Sequence, residues 1–164
     1  MAIIGFPDPV NEVSARVVAA GVVVMSVATI ALDLRWGTAI IALGFVARVL
    51  TGPKLSPLGQ LATRVVTPRL PFDAKLVPGP PKRFAQAVGV AFSVTAAVLA
   101  FGFDQWGAAQ VVLGLLAVAA TLESALGLCL GCKAFALLMR IGVIPESVCE
   151  SCNDIWGRDR TVAA

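Results

Sequence analysis

Four cysteines carry most of the reactive potential of this chain. They stand in two pairs, Cys129-Leu-Gly-Cys132 and Cys149-Glu-Ser-Cys152, with 16 residues between them. The spacing Cys-x2-Cys-x16-Cys-x2-Cys falls within the pattern of a four-thiolate zinc site, with Cys129, Cys132, Cys149 and Cys152 as ligands. A Cys-x-x-Cys on a helix also sets its two sulfurs about 60° apart on one face. Such a pair interconverts between dithiol and disulfide through mixed intermediates with a partner thiol. A third reading, four small packing residues without reactivity, fits the two-pair pattern least. The chain has no His and no Tyr, which excludes a Ser-His-Asp triad, a His-based zinc hydrolase and His-ligated haem.

The spacer between the pairs, KAFALLMRIGVIPESV, is apolar rather than a polar hairpin. A zinc site therefore requires any helix after Cys132 to be short and to break near Gly142 or Pro145. Gly127 and Gly131 would allow the tight turn of a zinc knuckle. For thiol chemistry, Lys133 beside Cys132 favours a thiolate, whereas a helix C-terminus at the pair favours the thiol.

The elements that hold these cysteines are strongly apolar. The 164 residues are 58% hydrophobic and 14% charged, with a mean hydropathy of +0.88, against roughly 25% charged residues in a soluble domain. Such a surface suits lipid. The net charge of +3 gives no argument for nucleic acid. Four apolar runs are expected as transmembrane helices: Val13–Leu32, Trp36–Leu50, Phe84–Phe103 and Trp106–Gly131. A span needs about 20 residues for a hydrocarbon core of roughly 30 Å. The second run reaches this length only with its flanks Arg35 and Thr51, or by local thinning of the bilayer. The first run is not expected to be a cleaved signal peptide. Asp8 and Glu12 precede it where a basic region would stand, and its apolar stretch exceeds the usual length.

The turns 33–35 and 104–105 are tight, whereas residues 52–83 form a long loop. From Thr51 to Arg83 there are seven of the ten prolines, and Lys54, Arg64, Arg69, Lys75, Lys82 and Arg83 face one acid, Asp73. Basic residues accumulate on the cytoplasmic side of short loops. Both termini and this loop are therefore expected in the cytoplasm, and the cysteine pairs with them. That compartment is reducing and disfavours permanent disulfides. Within the loop, LGQLATRVV could lie along the anionic leaflet or belong to a solvated Pro-rich linker.

Residues 36–51 align without gaps on 106–121, with seven of sixteen positions identical. The matches include Trp36 with Trp106 and Leu43-Gly44 with Leu113-Gly114. The expected fold is all-α and integral to the membrane, with four transmembrane helices as two repeated helical hairpins, 13–51 and 84–131. The Trp residues would sit at the outer interface, and the paired glycines would let helices approach closely. Two charges lie within helices, Arg48 and Glu123, and a structural Arg48–Glu123 pair joining the hairpins is expected, since neither charge tolerates lipid. On a continuous fourth helix Glu123 lies about 240° from Cys129 and about 180° from Cys132, turned away from both.

The segments GPKLSPLG, PPKRFAQ and GLCLGCK together resemble the bacterial membrane proteins of the DUF4395 family, over about residues 8–133. The IPESVCESCND tail looks like an extension typical of actinobacterial members. Function in that family is unassigned. The resemblance implies a role in thiol redox or sulfur metabolism, because members often accompany thioredoxin-like or sulfurtransferase proteins. It also points to Cys129 and Cys132 as the site.

The chain thus reads as a four-helix membrane domain, 1–133, with a cytoplasmic or interfacial tail, 134–164. It would be multi-pass in the bacterial plasma (inner) membrane. The first functional expectation is thiol exchange by Cys129 and Cys132 with a soluble thioredoxin-like or sulfurtransferase partner, Cys149 and Cys152 acting as a relay. The second is a non-enzymatic scaffold folded around zinc. A third is transport of a sulfur compound, for which four helices would need a homodimer.

Overall fold

In the computed structural model, which describes residues 6–71 and 73–149, the chain folds almost entirely into helices. α1 (Glu12–Ala31) and α2 (Arg35–Thr51) form one hairpin, and a connecting segment opens with α3 (Pro57–Gln60). α4 (Gly79–Phe101) and α5 (Trp106–Leu126) form a second hairpin, and α6 (Leu130–Arg140) follows. α1, α4 and α5 are each long and apolar enough to cross a membrane. α2 has 17 residues, about 25 Å at the helical rise.

α1 packs along α5, and α2 along α4. The core between them is built from Val22, Ile41, Phe45, Leu113 and a run of alanines that includes Ala96, Ala100 and Ala109. Large apolar side chains point outward from the same helices, among them Val24, Val27, Ile40, Leu43, Val94, Val111 and Val118. Burying this belt needs an apolar solvent, and hydrocarbon tails are as apolar as leucine.

Close helix approach occurs at glycines other than the repeated pair. A Cβ on Gly89 would collide with the Phe45 ring and one on Gly37 with Thr29, whereas Gly114 has open space and Gly44 meets only the Arg48 guanidinium. The expected role of Gly44 and Gly114 is therefore corrected: they lie on faces that no neighbouring backbone approaches.

At one end of the bundle the two hairpin turns interlock. Asp33 and Asp104 both adopt left-handed backbone, φ 50° and 52°, a conformation that aspartate tolerates better than most residues. Asp33 accepts hydrogen bonds from Trp106 Nε1 (2.9 Å) and Gln110 Nε2 (3.0 Å) of the other hairpin, and Asp104 pairs with Arg35.

At the opposite end the connecting segment that contains LGQLATRVV is structured. Ser56 caps α3, and the chain continues through a π-helical turn, Leu61–Val66, and a 3-10 turn, Thr67–Arg69. This segment packs on α1. Leu58 fills the space over Gly21, and Ser14 Oγ lies 3.0 Å from Thr67 Oγ1. A two-residue antiparallel pair, β1 (Val10–Asn11) with β2 (Leu76–Val77), ties the N-terminal stretch to the end of the loop.

Two helix boundaries differ from expectation by more than two residues, and both shape the site. α4 starts at Gly79 rather than Phe84. Asp8 Oδ1 accepts from Gly79 N at 2.9 Å, and Pro80 and Pro81 fit a first turn whose N–H groups need no partner. α5 ends at Leu126 rather than Gly131, because Gly127 turns left-handed at φ 67°. Its N–H and that of Leu128 close on Glu123 O and Leu122 O, the capping arrangement that glycine favours. Arg16 seals this end by donating to the carbonyls of Ser124 (3.2 Å) and Ala125 (3.0 Å).

Candidate functional site

The break at Gly127 changes the environment of the first cysteine pair. Cys129 is not at the C-terminus of a helix; it is the N-cap of α6, and its sulfur accepts from Cys132 N at 3.3 Å. The partial positive charge of a helix N-terminus favours a thiolate, so the expected dipole effect is reversed. Cys132 stands one turn along, and its thiol donates to Cys129 Sγ at 2.7 Å. Both are free thiols; Cys129 is buried and Cys132 half-buried.

α6 is held across the start of α4. Phe135 is buried against Phe84, with ring centroids 5.6 Å apart. Gly131 allows the approach, since a Cβ there would lie 2.6 Å from Ala85 Cα. This docking brings the thiols to the first turn of α4 and to Lys82.

Lys82 is the residue that sequence reasoning missed. Assigned to the loop, it is instead a buried helical residue whose Nζ lies 2.8 Å from Glu123 Oε1. Its place directly after Pro80-Pro81, ahead of an apolar run, was the available signal for a helix start. The expected Arg48–Glu123 pair does not form. Arg48 is buried at 5% exposure, with Nε donating to Gln86 Oε1 (3.0 Å), Nη1 to Ser56 Oγ (3.2 Å) and the guanidinium over the Phe45 ring. Glu123 belongs to Lys82 because the earlier start of α4 puts an ammonium closer than the guanidinium of α2. The broken helix also cancels the geometry that turned Glu123 away from the cysteines, and both thiols feel the Lys82 and Glu123 charges.

The two sulfurs are electrically unequal. The Cys132 S–H bond to Cys129 lowers the Cys129 thiol below its ordinary range, helped by the Lys82 ammonium and the Cys132 N–H, against burial and the Glu123 charge. Cys132 is pushed up, first because its proton is held by Cys129 and then by burial and the neighbouring negative charge. One proton of the pair leaves easily and the other is retained.

The second pair is less fully placed. Cys149 is buried and disulfide-bonded, which departs from the expectation of reduced thiols in both pairs, and Cys152 lies outside the described residues. Among the described residues no three cysteine or carboxylate side chains gather as a metal site. The structure therefore brings Cys129 and Cys132 together, sets Glu123 and Lys82 beside them, and leaves Arg48 in a separate network.

Comparison with curated proteins returns no match, and neither does comparison with solved structures. Residues 10–140, from β1 through the last residue of α6, match the family described as DUF4395, a domain of unknown function, and the chain belongs to that family.

Proposed function

We infer that Cys129 and Cys132 form a reversible dithiol that exchanges with a soluble thiol protein at the cytoplasmic face of a four-span membrane bundle. The observation that carries this reading is the pair itself: two free sulfurs 2.7 Å apart on the first turn of α6, anchored to a membrane-length helix. A reactive dithiol needs geometry set by a rigid element.

The inequality of the sulfurs gives an order of events. In the oxidised pair, a thiolate of the partner attacks Cys132, the less buried residue of the two. The Cys129–Cys132 bond breaks and Cys129 leaves as the thiolate, since the lower-pKa sulfur leaves faster. A second partner thiolate then attacks the mixed disulfide, releasing the partner's disulfide and reduced Cys132. Closing the dithiol again draws the sulfurs from 2.7 Å to a bond of about 2.05 Å.

The four-span arrangement rests on α2 crossing beside α4 with Arg35 and Thr51 at its ends. The two interlocked aspartate turns and the cross-packing of α1 on α5 and α2 on α4 are what two hairpins related by a pseudo-twofold would produce. Arg35 is the one basic residue at the turn end among the described residues, and the others lie at or towards the thiol end. Positive charge marks the cytoplasmic side, here of a plasma membrane. The competing four-thiolate zinc scaffold would need Cys149 and Cys152 in the same cluster.

Thiol trapping tests the reading. With Cys129→Ser, a mixed disulfide with a partner protein should accumulate on Cys132 in intact cells, and Cys132→Ser should capture less. Metal analysis of the reduced protein, full-length and truncated before Glu146, discriminates the scaffold. One zinc per chain that truncation releases would sink thiol exchange. A metal-free truncated protein that keeps a reducible Cys129–Cys132 pair supports it.

A further inference from the structure

A cavity of about 90 Å³ runs into the bundle from the thiol site. Its deep walls are Val22 of α1, Phe45 of α2 and Phe92 of α4, and its other end is formed by Gln86, Glu123 and Cys129. Two of its lining residues, Leu115 and Leu130, are 56% and 48% exposed. Leu115 lies in the middle of α5, a helix of membrane length. The lining of the cavity thus includes both a residue of the apolar surface of α5 and Cys129 of the thiol pair.

We propose that this cavity admits one carbonyl edge of a lipid-soluble quinone, which takes the two electrons of the Cys129–Cys132 dithiol. This rests on the thiol-exchange reading and names its second substrate. A dithiol that cycles needs a two-electron acceptor, and a membrane cavity ending at the sulfur is reached by one dissolved in lipid. The polar end suits a ring carbonyl. Gln86 Oε1 accepts from Arg48 Nε, and a guanidinium can only donate, so the amide is oriented with its N–H bonds available. Among the described residues those N–H bonds have no acceptor. An enclosed apolar cavity of about 150 Å³ holds benzene. The smaller volume here, open on one side, takes one carbonyl with the two small substituents that flank it, while the rest of the ring and the tail stay among the lipids.

The step balances. The two S–H bonds of Cys129 and Cys132 break and one S–S bond forms, giving up two electrons and two protons. The quinone gains both electrons, and each of its carbonyl oxygens gains one proton, giving a hydroquinone. The Lys82–Glu123 pair stands beside the sulfurs to pass protons between them and the aqueous end.

The test uses the full-length protein, pre-reduced, in liposomes with a short-tailed, fully substituted benzoquinone. The expected result is saturable reduction of one quinone per two thiols lost. The same protein is assayed for exchange with glutathione disulfide. Ala119→Phe, which fills the cavity, and Leu115→Trp, which narrows its mouth from the lipid side without touching the core, should each raise the half-saturating quinone concentration at least tenfold. Glutathione exchange in Leu115→Trp should stay within twofold of the parent. Exchange without quinone reduction, or quinone reduction that is unsaturable and indifferent to Leu115→Trp, overturns the quinone proposal and leaves thiol exchange standing. Failure of both assays overturns the exchange reading itself.

Discussion

Cys132 donates its S–H to a sulfur that caps a helix, and this one contact makes the two thiols of the pair unequal. Because the Cys129 thiol is lowered, it should ionise and alkylate at a pH below the ordinary thiol value of 9.0. Cys132→Ala removes the largest stabilising donor, so the half-point for Cys129 alkylation should move up, read by peptide-resolved mass spectrometry across a pH series. An unchanged half-point would mean that the α6 amides and Lys82 alone set the thiolate. Lys82 and Glu123 form a second pair at this scale, with side chains 9% and 16% exposed. Removing one partner from a pair so buried strands the other and costs about 3–5 kcal/mol. Lys82→Met and Glu123→Leu should therefore each destabilise the protein strongly in detergent unfolding, and the double variant should be milder than either. Simple addition of the two effects would show that the charges are stabilised independently.

Among the elements, α6 depends on a contact that only glycine permits. A side chain at Gly131 meets the Ala85 backbone, which cannot swing aside. Gly131→Leu should lift α6 from α4 at a cost of about 1–3 kcal/mol, seen as faster proteolysis after Leu126 and as lost selectivity between the Cys129 and Cys132 thiols. Glycines inside the hairpins fall into two groups. Gly89→Ala should destabilise, because its Cβ collides with the Phe45 ring. Gly114→Ala meets nothing within 4 Å and should be neutral or stabilising by up to about 1 kcal/mol, since alanine is the better helix former. Thermal unfolding of the two variants side by side checks this, and equal losses would contradict the packing.

For the whole molecule, the question is which way the bundle sits in the membrane. With the basic end inside, a reporter fused after Ala164 should be active only as a cytoplasmic fusion. A cysteine introduced at Arg35, in a variant lacking the native four, should label with an impermeant reagent from outside the cell. Labelling at Lys54 instead would invert the topology and put both Cys-x-x-Cys pairs in an oxidising compartment, where disulfides persist.

Much of this was readable from residue order. The apolar runs and the tight turns at Asp33 and Asp104 follow from composition and length, because a segment that faces lipid must be apolar and must satisfy its own backbone in a helix. The pairing of Cys129 with Cys132 follows from spacing alone. What the order of residues left open was decided by contacts between segments far apart in the chain. Asp8 caps Gly79 and so extends α4 back to Lys82. Lys82 then claims Glu123, while Arg48 turns to Gln86 and Ser56. Arg16 seals the carbonyls of α5 near Gly127, and Cys129 caps the start of α6. Local pattern sets where a helix can form, but a buried charge chooses among partners by distance and desolvation in three dimensions, and no spacing in one dimension contains that choice.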